Sequence, residues 1–225
     1  MYNSQRRHEE YYCSLIREGK ISANFDINKS NDYRAFLSFF KSKYFPKKGI
    51  VLDVGCGTGA ISMFLAQKGY VVDALDFSRS AIKIARNISN RSSLLINFYC
   101  GNILDTDLPT SRYDVIIDNN CFHCIIGKTN RYLYLKKIYN ALKPRGLFFC
   151  TCMCNLPKDK KLLAKMNLKT RTLSNLRYFA TIKEILDEFK QNKFIIIYRS
   201  INKGKHGDND SIVLYAKREY YSQER

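Results

Sequence analysis

The sequence predicts an α/β fold: a doubly wound, mainly parallel seven-stranded sheet with helices on both faces and a C-terminal antiparallel hairpin. Three observations predict it. From residue 49 onward, short apolar segments alternate with segments of helical period, the pattern of successive parallel strands with right-handed crossovers. The first apolar run ends in the glycine-rich stretch "VGCGTGA" (54–60). The last two apolar runs, 193–201 and 211–218, are separated by nine residues, too few for a crossover helix, so they pair as a hairpin at the sheet edge.

Taken in order, "NDYRAFLSFFKSKYF" (31–45) is the clearer of one or two helices within residues 1–48. "GIVLDVG" (49–55) is a buried strand, branched and closed by glycine, and "TGAISMFLAQKG" (58–69) the helix after it, with Ile61, Phe64 and Leu65 on one face. "YVVDALDFS" (70–78) is the second strand; "SRSAIKIARNISN" (78–90) is a helix opened by a serine cap. "LLINFYCGN" (94–102) and "YDVIIDNN" (113–120) are the third and fourth strands. "TNRYLYLKKIYNALKPRG" (129–146) is a helix stopped by Pro144 and Gly146, followed by the fifth strand, "LFFCTCMC" (147–154). A basic insertion (155–180) precedes a helix at 181–192 and the closing hairpin. The implied organisation is an N-terminal helical segment (1–48), a main domain (49–218) and a short tail (219–225).

Composition narrows the class. With 225 residues, 45% hydrophobic and 26% charged, one α/β domain can bury a full core. No apolar run approaches the ~18 residues of a membrane span, and the N-terminal residues lack a signal-peptide core, so a cytoplasmic protein with reduced thiols is expected despite eight cysteines. Lys and Arg exceed Asp and Glu by 38 to 20, a net +18. That field suits anionic partners, nucleic acid included, and equally suits a chain simply rich in Lys, Asn, Ile and Tyr.

Gly55, Gly57 and Ala60 satisfy G-x-G-x-x-G/A, and Asp76 follows Gly57 by 19 residues at the end of the second strand. Glycines let a nucleotide-like ligand approach the backbone while the acid takes ribose hydroxyls. Both NAD and S-adenosylmethionine fit this pattern. Three features tilt the choice. Asp53, two residues before Gly55, suits a ligand bearing an ammonium and a sulfonium better than a pyrophosphate. The length leaves no separate substrate domain, and the terminal hairpin is foreign to doubly wound dehydrogenases. A short-chain dehydrogenase reading of the Y-x-x-x-K in "YLYLK" (132–136) fails, because the glycine loop lies too deep in the chain and no serine stands about a dozen residues upstream.

From about residue 45 to 217 the sequence resembles the class I, Rossmann-like S-adenosylmethionine-dependent methyltransferases. The resemblance is carried by "VLDVGCGTG", "ALDFS", "YCGNILDTDLP", "YDVIIDNNCFHCI" and "LKPRGLFF". It implies S-adenosylmethionine as cofactor, S-adenosylhomocysteine as product and no metal. It implies cofactor contacts from Gly55, Gly57, Asp53 (methionyl end), Asp76 (ribose), Phe77 (adenine face), Asn102 and Ile103 (adenine edge) and Asp118 (methionyl group). Asp53 and Asp118 have a structural alternative, bonding loop amides or capping the next segment. His123 is the candidate base, or else a packed histidine beside the cofactor. Asn120, Cys121, Tyr178 and His206 are candidate acceptor contacts. The quartet "DNNC" (118–121) departs from the family's "N-P-P-Y", which weighs against exocyclic-amine and glutamine acceptors. Cys121, Cys124, Cys150, Cys152 and Cys154 are read as core thiols, a zinc or metalloid site being the alternative. In the insertion, seven Lys and Arg stand against Asp159 alone, either an anionic-acceptor surface or a solvated lid face. The expected function is methyl transfer to a small-molecule acceptor in an occluded pocket, formed by the N-terminal helical segment (1–48) covering the active site and by the basic insertion. The alternatives are an RNA- or protein-directed enzyme and a non-catalytic cofactor-binding domain.

Overall fold

In the computed structural model, residues 3–18, 27, 33–173, 177–204 and 210–219 are described. The main sheet has seven strands, in the order β3 (Asn97–Cys100), β2 (Val71–Asp76), β1 (Ile50–Val54), β4 (Tyr113–Asn119), β5 (Leu142–Cys154), β10 (Asp210–Arg218) and β9 (Phe194–Asn202), and a separate small sheet has three. The chain forms two compact units, residues 1–107 and 108–225.

The first unit contains α1 (Asn3–Arg17), α2 (Arg34–Phe40), β1 (Ile50–Val54), α3 (Ala60–Gln67), β2 (Val71–Asp76), α4 (Arg79–Arg91) and β3 (Asn97–Cys100). β1 pairs with β2, and β2 with β3, all parallel. Parallel strands are covered on both faces, which is why β1 and β2 read as near-continuous apolar runs. The helix α4 buries Ala81, Ile82, Ala85 and Ile88 at helical spacing, and its predicted cap is present: the Ser78 hydroxyl accepts from the Ala81 amide at 3.0 Å. The helix expected over 31–45 ends at Phe40. Beyond it, the Ser42 hydroxyl donates to the Phe39 carbonyl at 2.7 Å, a local bond that competes with helix continuation. The rings of Phe40, Phe45, Phe64 and Tyr70 then pack edge to face at 4.9–6.2 Å, seating α2 on the strand layer.

The second unit contains β4 (Tyr113–Asn119), one turn of 3-10 helix (Phe122–Cys124), α5 (Lys128–Ala141), β5 (Leu142–Cys154), α6 (Lys160–Ala164), β6 (Met166–Asn167), β7 (Thr172–Leu173), β8 (Arg177–Tyr178), α7 (Ile182–Gln191), β9 (Phe194–Asn202) and β10 (Asp210–Arg218). β4 and β5 are parallel, and β10 runs antiparallel to both β5 and β9, so the hairpin closes this edge as expected. The fifth helix stops at Ala141, earlier than Pro144 and Gly146 would suggest. Leu142 is already extended and pairs with Tyr113, and Pro144 disfavours a helical Lys143. The register then jumps from Tyr113↔Leu142 to Val115↔Leu147, so the extra residues form a bulge within a longer β5. Arg218 covers the end of α5 by donating to the carbonyls of Asn140 and Leu142.

The insertion folds into α6 and the antiparallel sheet β6-β7-β8, which the sequence did not resolve into elements. Cys150, Cys152 and Cys154 are buried in β5. Among the described residues no cluster of three metal-ligating side chains occurs. Among them, too, no helix is long and apolar enough to cross a membrane.

The start of α7 carries a full capping box, Thr181 and Glu184 each bonding the other's backbone amide. Thr181→Ala should cost about 1 kcal/mol in urea unfolding; a loss within experimental error would show that α7 is fixed by its buried Ile185 and Phe189 alone.

Candidate active site

In the first unit the glycine loop is shaped by one carboxylate. The amide of Gly57 donates to Oδ2 of Asp76 at 2.9 Å, and that of Ser78 to Oδ1 at 2.8 Å. The amides of Gly55 and Cys56 both donate to the Leu75 carbonyl, at 2.8 and 3.1 Å. Gly55, Gly57 and Gly59 take φ of 69°, 54° and 82°, the left-handed region that side chains resist. A Cβ on Gly59 would also lie 3.1 Å from the Phe98 ring and 3.3 Å from Ala85. Glycine there admits close packing of α4 and β3.

Asp76 is buried, and burial raises its pKa while the amides of Ser78 and Gly57 pull the other way. The Phe77 amide adds a weaker pull in the same direction, and two carboxylate oxygens with about four acceptor sites still leave capacity for a ligand. The Gly101 amide donates to the Asp76 carbonyl at 2.9 Å, which draws Asn102 and Ile103 to the same strand end. Asn102 opens the following turn, its side chain accepting from Leu104 and donating to Asp105. Ile103 is buried and Phe77 half-buried. A glycine cradle and a buried carboxylate with spare acceptor capacity fit a nucleoside bearing vicinal hydroxyls. Asp53 is also buried, but accepts from the Ser62 hydroxyl of α3 at 2.6 Å.

The sequence led to an N-terminal helical segment over the site, but not to the bounds of α1 or to the residues it brings there. Glu9 of α1 accepts from the Ser78 hydroxyl at 2.6 Å, and from the Ser80 hydroxyl and amide at 2.6 and 3.1 Å. The Tyr12 hydroxyl lies 2.7 Å from where a Cβ on Gly57 would stand, and His8 meets Phe77 edge-on at 5.7 Å. Positions 8, 9 and 12 share one helical face, the single signal available beforehand.

In the second unit, Asp118, next to last in β4, is fully buried. It accepts from the amides of Cys121 and Phe122 at 2.6 and 3.2 Å and from the Tyr134 hydroxyl at 2.5 Å. Burial pushes its pKa up to about 6 against those three bonds. This is the capping arrangement: Asp118 fixes the 3-10 turn that carries His123, rather than presenting a carboxylate at a surface. His123 is buried within that turn. Asn120, at φ 73°, is exposed and donates its amide to the Thr151 carbonyl.

Behind the turn, Arg131 is 1% exposed and bidentate to Glu188 at 2.7 Å for both bonds. It also donates to the Phe122 carbonyl at 3.0 Å and stacks 3.7 Å above the Phe122 ring. The same guanidinium lies 5.1 Å from the ring of Tyr178, whose hydroxyl accepts from Arg171. Tyr178 is thus drawn, through Arg131, to the Phe122 turn. His206 lies outside the described residues. In the insertion, Arg171 pairs with Glu184 and Lys158 with Asp210, so part of its positive charge is neutralised by acids from outside residues 155–180. Tyr132 and Lys136 of the Y-x-x-x-K are exposed on α5.

Residues 51–146 match the family model described as a methyltransferase domain. Among curated proteins, the chain is similar to a ubiquinone biosynthesis O-methyltransferase of Coxiella burnetii, 33% identical over 116 residues, which cover 51% of this chain and 48% of the relative. The chain thus spans about half the length of the curated relatives it matches. Among solved structures it resembles Burkholderia thailandensis 1,6-didemethyltoxoflavin-N1-methyltransferase with bound 1,6-didemethyltoxoflavin and S-adenosylhomocysteine. That likeness has a TM-score of 0.69 at 18% identity, over 94% of this chain and 87% of the other. The [4+2]-cyclase SpnF matches at TM-score 0.71 and 16% identity, over 96% of each chain. The fold is therefore that of class I methyltransferases, a fold that a cyclase shares.

Because Asp118 is protonated more readily in the folded state than its ordinary 3.8, its contribution favours folding most below that value and is lost as pH rises through about 6. Relative to Asp118→Asn, the wild type should therefore gain about 3 kcal/mol of stability between pH 7 and pH 3.5. Urea unfolding across that range measures it, and a constant difference would mean the carboxyl titrates normally.

Proposed function

We propose that this chain, whose residues 51–146 carry the methyltransferase domain, transfers the methyl group of S-adenosylmethionine to a small-molecule acceptor. The observation that carries the reading is the bond between the Gly57 amide and Asp76. It joins the two parts of the sequence pattern, the glycine loop and the ribose-binding acid, into one cradle. The family match over the same residues supports it.

In this reading Asp76 takes the ribose hydroxyls through its remaining lone pairs in charge-assisted bonds. Gly55 and Gly57 admit the ligand to the backbone, Phe77 packs on the adenine, and Asn102 and Ile103 frame its edge. Asp53 acts at the methionyl end by fixing Ser62 and the start of α3. When bound, the cofactor supplies a methyl carbon already activated by the sulfonium, so the protein's main task is alignment for in-line displacement. Asp118 contributes by holding the turn that carries Cys121 and His123. Asn120, Cys121 and Tyr178 are the proposed acceptor contacts. His123 serves as base only for an acceptor that must lose a proton.

A small acceptor is favoured over nucleic acid because Lys158 and Arg171, two of the cations expected to form an anionic docking surface, are committed to Asp210 and Glu184. The same pairing removes any requirement that the acceptor be anionic. We place the protein in the cytoplasm on its composition and the absence of an apolar helix of spanning length among the described residues.

Calorimetric titration with S-adenosylhomocysteine should give binding to the wild type and a loss of about a hundredfold or more in Asp76→Ala. No heat from the wild type, with heat from NAD instead, would overturn the cofactor. Once a small acceptor is found, kcat/KM should change less than about threefold between low and high salt. A steep fall with a log–log slope of several units would point to phosphate-rich nucleic acid.

A further inference from the structure

Three of the groups proposed to touch the cofactor are already covered by α1. The Tyr12 hydroxyl sits against Gly57, at 2.7 Å from the position a Cβ would take. Gly57 is buried in consequence, whereas Gly55 in the same loop is exposed. Tyr12 is close enough to Asp76 that, after burial itself, the Asp76 charge is the largest influence raising its pKa. The His8 ring lies edge-on against Phe77, the proposed adenine platform.

What holds α1 there is Glu9. Its carboxylate accepts three bonds at the start of α4, from the Ser78 hydroxyl and from the Ser80 hydroxyl and amide. Burial pushes the Glu9 carboxyl up, but the bonds from Ser78 and Ser80 outweigh it and hold the group below its ordinary value, so it is ionised at neutral pH. One face of a single helix thus reaches the glycine loop, the platform residue and the residues directly after the ribose-binding acid. Cys13, one turn beyond Glu9, extends the contact, its sulfur 3.1 Å from the Ser80 hydroxyl.

We propose that α1 is a latch on the cofactor cradle: docked through Glu9, it places Tyr12 and His8 on the surface that the nucleoside requires, so that docking of α1 and binding of the cofactor exclude one another. This rests on the cofactor reading above and adds its regulation. Ser78 then has two duties, capping α4 through Ala81 and donating to Glu9. The cradle is competent only in the undocked fraction, and apparent affinity falls in proportion to that fraction.

The test uses the full chain and S-adenosylhomocysteine as probe. Glu9→Ala removes all three latch bonds and leaves every side chain of the proposed cradle in place. Glu9→Gln, which also lacks the charge acting on Asp76 but keeps bonding capacity, controls for electrostatics and should bind more weakly than Glu9→Ala. Glu9→Ala should tighten binding about tenfold and speed association in stopped flow by a similar factor. Unchanged or weaker binding would overturn the latch and make α1 a fixed wall of the site. A second measurement needs no variant. Tryptic cleavage within α1, at Arg6, Arg7 and Arg17, should be faster when S-adenosylhomocysteine is present; slower cleavage would mean that α1 closes on the ligand instead. Asp76→Ala separates the two ideas. If the wild type binds, Asp76→Ala does not and Glu9→Ala behaves as wild type, only the latch fails. If neither the wild type nor Glu9→Ala binds, the cofactor reading fails and the latch falls with it.

Discussion

The carboxylate of Asp76 is the constraint from which the cradle takes its shape. It stands at the end of β2, buried, where an ionisable group without donors would be costly. Two donors from different segments answer it: the Gly57 amide from the loop after β1 and the Ser78 amide from the start of α4. Meeting that demand bends the loop back on the end of β2, and the bend is why Gly57 sits at φ 54°. The next turn follows, because Ser78, fixed by Asp76, is also the cap of α4. A single acid thereby sets loop, helix start and ligand-facing surface together.

Asp118 in the second unit has the same local chemistry with a different outcome. It too lies near the end of a parallel strand and accepts from two amides of the following segment, but the Tyr134 hydroxyl takes its second oxygen and burial is complete. The two acids differ in what remains to be satisfied. Asp76 retains acceptor capacity beside an open glycine, Gly55, whereas Asp118 is enclosed. One therefore suits direct binding and the other the positioning of a turn. Beneath that turn, Arg131 is balanced by Glu188, the Phe122 carbonyl and an aromatic face. A buried guanidinium stripped of any of these would be strongly destabilising, so the turn and α7 are coupled through it.

The net charge of +18 already subtracts every acid, so ion pairs redistribute the field across the surface without reducing it. Asp210 alone accepts from Lys158, Lys203, Asn155 and the Gly204 amide, and Arg171 bridges Glu184 and Tyr178. Formal charge counts residues. The field a ligand meets depends on which of them face one another.

The sequence by itself determined the order and type of the main elements, the glycine loop, the cap at Ser78 and the terminal hairpin. All of these rest on interactions between residues a few positions apart, or on the period of apolar residues, and such signals survive in a linear string. Where a local signal met a competitor, the boundary moved. Ser42 ended α2 early, and the pairing of Leu142 with Tyr113 ended α5 before Pro144. The fine structure of the insertion, the enclosure of Asp118 and the pairing of Arg131 with Glu188, 57 residues away, were decided only by the tertiary structure. So was the docking of α1, where Glu9 meets Ser78 and Ser80 across 69 and 71 residues. No spacing rule connects positions so far apart. Their contact exists because packing of the strands and helices brings two surfaces together, and a carboxylate or guanidinium caught between them must find its hydrogen-bond partners there.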